Sequence, residues 1–387
     1  MRRKIAVVVT ARPSFARIRT VLDILHAEPR VDLRIIMAAS TLLHHYGNVI
    51  EDCPYPVSYR VHSTLAGHTL DTSAIETGVL TMQLATLFAQ DKPDVVVTIA
   101  DRHETLATAI AASYQNVPLA HLQGGEDTGN IDDRVRNAVS HLADLHFPAT
   151  DKAAERLESL RVKGQVFQYG CPSIDLAARA MPDPTYDGAI VVLQHPVTNE
   201  VDHARAQMDE TIAAVTGFAP RHRILWIWPG QDAGSDDAAK RLRELEHQHP
   251  AIEFCRHAPA ASFLSRLRSA GCLVGNSSAG IREGSYLGTP VVDIGTRQQG
   301  RETAQNVYHV PHVAEDITRA LRYQLDHGRY PQSTLYGTGH AGVQIAHALI
   351  DPAGAGLAAY LDGRAGSPWV GGRASEEHHP PRGDVAA

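Results

Sequence analysis

The chain carries two series of short apolar runs, each run followed by a segment with helical periodicity. Ile5-Ala-Val-Val-Val9, Leu33-Arg-Ile-Ile-Met37, Asp94-Val-Val-Val-Thr-Ile-Ala100 and Val117-Pro-Leu-Ala-His-Leu122 make up the first series. Between them Ile18, Val21, Leu22 and Leu25 fall on one helix face, and helical patterns recur over 72–90 and 103–114. Runs that are apolar on both faces belong to strands covered on both sides, so the alternation implies parallel sheets sandwiched by helices. After the Pro-rich Met181–Asp187 the series restarts with Ala189–Leu193, Ile224–Trp228, Cys272–Val274 and Thr289–Ile294. The spacing predicts two Rossmann-like, doubly wound α/β domains facing each other across a cleft, over residues 1–178 and 179–362. A helical segment over 340–361 closes the second. From Gly363 to Ala387 the composition turns to Gly, Pro, Ser, Glu and His, which reads as a disordered tail.

At 387 residues the chain is too long for one ordinary core, in keeping with two domains. Its 36 basic against 43 acidic residues give a net charge of −7. That excludes a generally basic nucleic-acid binder and leaves room for a local anion pocket. Four scattered cysteines form no CxxC pair, against a zinc ribbon or a dithiol redox site. The apolar stretch from Ile5 to Ala11 is too short for a signal sequence or a membrane span. These features read as a reducing, cytoplasmic protein with neither membrane nor nucleic acid as partner.

In open parallel sheets ligands sit at the carboxyl ends of the strands, which selects the loops to read for chemistry. The first strand ends in Thr10-Ala-Arg-Pro-Ser14, where Arg12 beside a helix start suits an anion. The third ends in Asp101-Arg-His-Glu104. Asp101 is there either an acid, base or hydroxyl ligand, or the N-cap of a capping box closed by Glu104. The fourth ends in His121-Leu-Gln-Gly-Gly-Glu126, and Asp132, Asp133 and Arg136 open the next helix. Carboxylates from two strand ends meeting in one cleft suit divided acid and base roles. In the second half His195 stands directly at a strand end. Gly275-Asn-Ser-Ser-Ala-Gly-Ile-Arg-Glu283 offers small and hydroxyl residues, Ser277, Ser278, Ala279 and Gly280, where a helix starts. A plain Ser N-cap accounts for the same residues. Glu283 is placed for a ribose hydroxyl, and Arg297 and Arg301 follow the next strand. No Walker or G-x-G-x-x-G spacing occurs, which disfavours an ATPase or a nicotinamide enzyme. Two facing domains, a diphosphate site and a pair of acids suit a nucleotide-sugar enzyme.

Several segments together resemble the UDP-N-acetylglucosamine 2-epimerase family, its hydrolysing branch in particular. They are Ala100–Glu104, His121–Glu126, Thr128–Asp133, Gly170–Asp175, Gln194–Thr198, Trp228-Pro229 with Asp232–Ser235, Val274–Glu283, Gly295–Arg301 with Asn306-Val307, and Tyr336–Ala341. They run in order from about Ile5 to Tyr360. The resemblance implies a fold like that of GT-B glycosyltransferases and the reaction of UDP-GlcNAc with water to ManNAc and UDP, through a 2-acetamidoglucal. A UDP-2,4-diacetamido-trideoxyhexose, a non-hydrolysing epimerase and a GT-B glycosyltransferase stand as alternatives. By the resemblance Asp101, Glu126 and Asp133 are the catalytic acids. Arg12, His195, Ser278, Ala279, Gly280 and Glu283 contact the nucleotide, with Ser277, Arg136, Arg297 and Arg301 around it. The proton leaves and returns without net redox change, so neither a metal nor another cofactor is needed. A homodimer or homotetramer is also implied. Two positions depart from the pattern. Asn137 follows Arg136 where hydrolysing members carry His, and Gln123 stands where relatives carry an acid or His. Gln cannot transfer a proton, so the reading gives Gln123 a positioning role.

Overall fold

The computed structural model describes residues 2–43, 49–67, 69–129, 131–230 and 232–351. Strands β1 (Arg3–Val9), β2 (Val31–Ala38), β3 (Val57–Val61), β4 (Val95–Ile99), β5 (Leu119–Leu122), β6 (Leu145–Phe147) and β7 (Gln165–Val166) form one parallel sheet, ordered β3-β2-β1-β4-β5-β6-β7. Strands β8 (Ile190–Leu193), β9 (Ile224–Ile227), β10 (Glu253–Cys255), β11 (Cys272–Gly275), β12 (Val291–Ile294) and β13 (Val307–Val310) form a second, ordered β10-β9-β8-β11-β12-β13. The helices are α1 (Arg12–Ala27), α2 (Val49–Asp52), α3 (Leu70–Asp91), α4 (His103–Ser113), α5 (Ile131–Leu142), α6 (Asp151–Ser159), α7 (Pro172–Arg179), α8 (Ala204–Thr216), α9 (Ser235–Gln248), α10 (Ala260–Ser269), α11 (Ser278–Ile281), α12 (Glu283–Leu287), α13 (Ala314–His327) and α14 (Ala341–Ile350). None of them is long and apolar enough to cross a membrane.

Each sheet is buried on both sides because its strands alternate apolar residues toward two helical layers. In β1, Ile5, Val7 and Val9 pack with residues of α1 and α14, while Ala6 and Val8 pack with α3 and α4. In β8, Ile190 and Val192 meet α8, α9 and α13, while Val191 and Leu193 meet α10. The strand order reverses between β1 and β4 and again between β8 and β11. The loops after these strands therefore flank the crevice of each sheet.

The last helix departs from the sequence expectation. Ala341, Ile345, Ala346, Leu349 and Ile350 of α14 are buried in the core of the first sheet, against α1, and do not close the second. Asp175 of α7 holds it there: its Oδ1 and Oδ2 accept from the backbone N–H of Ala341 (3.0 Å) and Gly342 (2.7 Å), and Oδ2 also from Thr20 Oγ1 of α1 (2.9 Å). A carboxylate on free N–H groups is the favoured end for a helix. The expected continuation of this helix to 361 and the tail over 363–387 lie outside the described residues.

Candidate active site

A cleft of about 740 Å³ runs between the two sheets, lined by the loops after β1, β4, β8 and β11 and by the first turns of α1, α3 and α5. Two strand ends are bent to serve it. Ala100, with φ of 69°, turns the chain after β4 so that Asp101 lines the cleft, and Gln123 turns the chain after β5 with φ of 64°. A non-glycine residue in this region is strained and persists only where its surroundings fix it. Fully buried His121 does so for Ala100, with Nε2 at 2.8 Å from the Ala100 carbonyl and Nδ1 at 3.1 Å from Ser140 Oγ.

Asp101 Oδ2 receives Arg136 Nη2 and lies 3.5 Å from Arg301 Nη2. Burial alone would raise this carboxyl, but the guanidiniums of Arg136, Arg301 and Arg17 outweigh it and hold it well below the usual range. Arg17 was not anticipated. It lines the cleft from the second turn of α1 and donates to Ser278 Oγ of the other domain at 2.8 Å.

The structure divides the three expected acids. Glu126 does not line the cleft. It is buried between the domains, where Arg282 Nη2 donates to both of its oxygens at 2.5 Å and Arg301 Nη1 lies at 2.6 Å. Its burial is outweighed by these cations, and the carboxyl falls to about 2. Asp133 also faces away from the cleft. It closes the turn after β5, accepting from Thr128 N (2.9 Å), Thr128 Oγ1 (2.7 Å) and Gly129 N (2.6 Å), and pairs with Arg136. Its neighbour Asp132 lines the cleft instead. Burial and then the charge of Asp101 raise the Asp132 carboxyl to about 6. The Asp132-Asp133 pair itself was the available signal, since two consecutive helical residues cannot face the same way.

Arg136 is fully buried beneath the floor, tying Asp101, Asp133 and the Glu126 carbonyl together. Gln123 is likewise buried and donates through Nε2 to Cys171 Sγ at 2.9 Å. Neither lines the cleft. The capping box that was the alternative reading of Asp101 and Glu104 does not form. Arg102 is the N-cap of α4, and it pairs with Glu104 (3.1 Å) and, across the cleft, with Asp232 (2.5 Å).

The second-domain wall is built around Asn276. Its Oδ1 accepts from His195 N at 2.7 Å and its Nδ2 donates to the His195 carbonyl at 2.8 Å. Its own carbonyl accepts from Arg297 Nη1 (3.2 Å) and Gln298 Nε2 (2.8 Å). His195 Nδ1 accepts the N–H of Gly230 at 3.2 Å, so the ring proton sits on Nε2. Burial, then the charge of Arg297, push its pKa down to about 3, leaving a neutral donor. Ser277 is the N-cap of α11, accepting from Ala279 N at 3.3 Å. Ser277, Ser278, Ala279, Glu283, Arg297, Arg301 and Arg12 all line the cleft. Arg12 reaches across to the Arg256 carbonyl at 3.2 Å. Gly280 does not line it. Its N–H bonds the Ser277 carbonyl at 3.1 Å, and a Cβ there would lie 2.8 Å from Val291 Cγ1, so it serves packing.

The family model described as UDP-N-acetylglucosamine 2-epimerase matches residues 23–350, and the chain belongs to that family. It is 32% identical over 365 residues to a Legionella pneumophila protein named UDP-N,N'-diacetylbacillosamine 2-epimerase (hydrolyzing), covering 88% of this chain and 93% of that one. It is 25% identical over 355 residues to a Neisseria meningitidis UDP-N-acetylglucosamine 2-epimerase, covering 87% and 91%. The Methanocaldococcus jannaschii UDP-GlcNAc 2-epimerase structure, in complex with UDP-GlcNAc and UDP, superposes with a TM-score of 0.77 at 17% identity, over 89% of this chain and 99% of that one. The fold is thus the GT-B-like pair of α/β domains of this family.

Proposed function

We propose that this protein is a hydrolysing 2-epimerase that converts a UDP-linked 2-acetamido sugar and water into the free C2-epimeric sugar and UDP. The observation that carries the reading is the pairing of Asp132, with its proton affinity raised to about 6, and ionised Asp101 on one cleft floor beside the cations Arg17, Arg297 and Arg301. A carboxyl whose pKa lies near the working pH suits removal of a proton from carbon. Asp132 takes the C2 proton while the C2–H electron pair forms the C1=C2 bond and the C1–O pair leaves with UDP. The guanidiniums stabilise the charge that gathers on the departing diphosphate. The bound diphosphate shares Arg17 and Arg301 with Asp101, which raises the proton affinity of Asp101. Asp101, protonated from solvent once the diphosphate shares its cations, then gives that proton to C2 on the opposite face as water adds through its oxygen to C1; the proton the water sheds returns to Asp101, and Asp132 releases the C2 proton to solvent.

The preferred sugar is the 2,4-diacetamido-trideoxyhexose, ahead of UDP-GlcNAc, supported by the name and 32% identity of the Legionella relative. The test is turnover in D2O followed by NMR. Release of UDP with a deuterated, inverted C2 is the expected result. Transfer of the sugar to an acceptor with C2–H intact would instead make the protein a glycosyltransferase. A UDP-linked epimer without free UDP would make it a non-hydrolysing epimerase.

A further inference from the structure

Arg102 is a cleft cation that the chemistry above leaves unused, and its two ends are held by different domains. Its Nε and Nη2 face the two oxygens of buried Glu104 at 3.1 and 3.3 Å. That edge of the guanidinium is fixed to its own domain. The other end, Nη1, crosses to Asp232 Oδ1 of the second domain at 2.5 Å. Asp232 Oδ2 in turn lies 4.0 Å from Arg297 Nη2 and 3.8 Å from His195 Nδ1. Arg102, Asp232, His195 and Arg297 all line the cleft, from the loops after β4, β9, β8 and β12. These are the strand ends where a ligand belongs. A protein carboxylate therefore stands among the cations there. Burial would raise it, but the charges of Arg102 and Arg297 outweigh burial and bring it down to about 2, so it is ionised near neutrality.

We infer that Asp232 is an internal competitor of the diphosphate: its carboxylate and the phosphates of the nucleotide take turns on Arg102. The inference rests on the 2-epimerase reading for its ligand, a nucleoside diphosphate. Glu104 keeps the guanidinium in place during the exchange, so Nη1 donates to a phosphate oxygen where it had donated to Asp232. The two anions exclude each other, because like charges brought together in a partly dry cleft repel. The apparent affinity for UDP is then reduced by the fraction of molecules in which Asp232 holds Arg102. Occupancy in about nine molecules of ten weakens binding about tenfold. The return of Asp232 to Arg102 also speeds the departure of UDP, the product that carries the diphosphate away.

Calorimetric titration of the full chain with UDP reads the exchange. Asp232→Asn removes the competing charge and is expected to bind UDP about tenfold more tightly than the wild type. Asp232→Ala, which cannot pair with Arg102 at all, should show the same gain, and Asp232→Glu, which keeps a carboxylate, should not. In an Arg102→Met background UDP binds more weakly, and the gain from Asp232→Asn is expected to vanish, since nothing is left to compete for. Unchanged or weaker binding in both Asp232→Asn and Asp232→Ala overturns the exchange. So does a gain of equal size with and without Arg102, which would reduce Asp232 to a source of general repulsion. Each of these outcomes leaves the 2-epimerase reading standing. A wild type that binds UDP but releases none from either sugar removes that reading, while the titrations still decide the exchange. A wild type that binds no UDP overturns both.

Discussion

Successive helical residues project about 100° apart, and the first turn of α5 turns on that fact. Asp132 reaches the cleft, and Asp133 is consumed in closing the turn before it. Asp132→Asn is expected to lower kcat by about 10²–10⁴-fold with UDP affinity retained, as befits loss of a proton-exchanging group. Because the carboxylate form accepts the C2 proton, kcat should rise with pH through about 6 and level off above, and the variant should lose that limb. A pH profile in which Asp132→Asn keeps the same limb would move the base elsewhere. Glu126 belongs to a different account. Glu126→Gln leaves Arg282 and Arg301 buried beside a neutral amide, so it should cost about 3–5 kcal/mol in stability, read from denaturant unfolding. An unchanged unfolding midpoint would refute the interdomain tie.

The interior strands were legible because they are unbroken apolar runs, and the two series separated the two sheets. Short or partly polar strands escaped notice: β3, β7, β10 and β13 (Val57–Val61, Gln165–Val166, Glu253–Cys255 and Val307–Val310) sit at sheet edges, and β6 has only three residues. The strand-end rule selected loops that line one cleft, Asp101, His195, Ser278 and Arg297 among their residues. It could not say which side chain of a loop faces inward. Glu126 was misread because its partner Arg282 lies 156 residues away, and Arg17 was missed because one guanidinium in a helix carries no local signature. A similar long-range contact constrains the end of β11. Gly275 has φ of 137°, and a Cβ there would run into the Leu193 carbonyl. Gly275→Ala should therefore displace Asn276 and with it His195. We expect about 1–3 kcal/mol of destabilisation together with weakened UDP binding by calorimetry. Native UDP affinity in this variant would show that the hub tolerates movement.

Across the whole molecule, acid should loosen the structure in two windows. His121 and His146 are held neutral down to about 4, and His195 to about 3, chiefly by burial. The unfolded chain takes up these protons near 6.5, so it binds more protons than the folded one below that pH. Their contribution is intact above about 6.5 and is lost progressively as pH falls toward 4. Glu126, depressed to about 2, adds stability that is present above its unfolded value near 4.3 and fades as pH falls through 2. The thermal midpoint should therefore fall steadily from pH 7 to pH 4, and a flat midpoint between 7 and 5 would clear the histidines of this role.

The docking of α14 on α1 carries a consequence for how the molecule can be cut and how it can move. The polypeptide leaves the first domain after β7 and comes back at its end, so the second domain is an insert spliced into the first. A fragment stopping near residue 180 lacks one wall of its own interior. It should aggregate on expression and be rescued by a peptide spanning 339–351. Two chain crossings also act as paired tethers. Any gape of the cleft must flex both together.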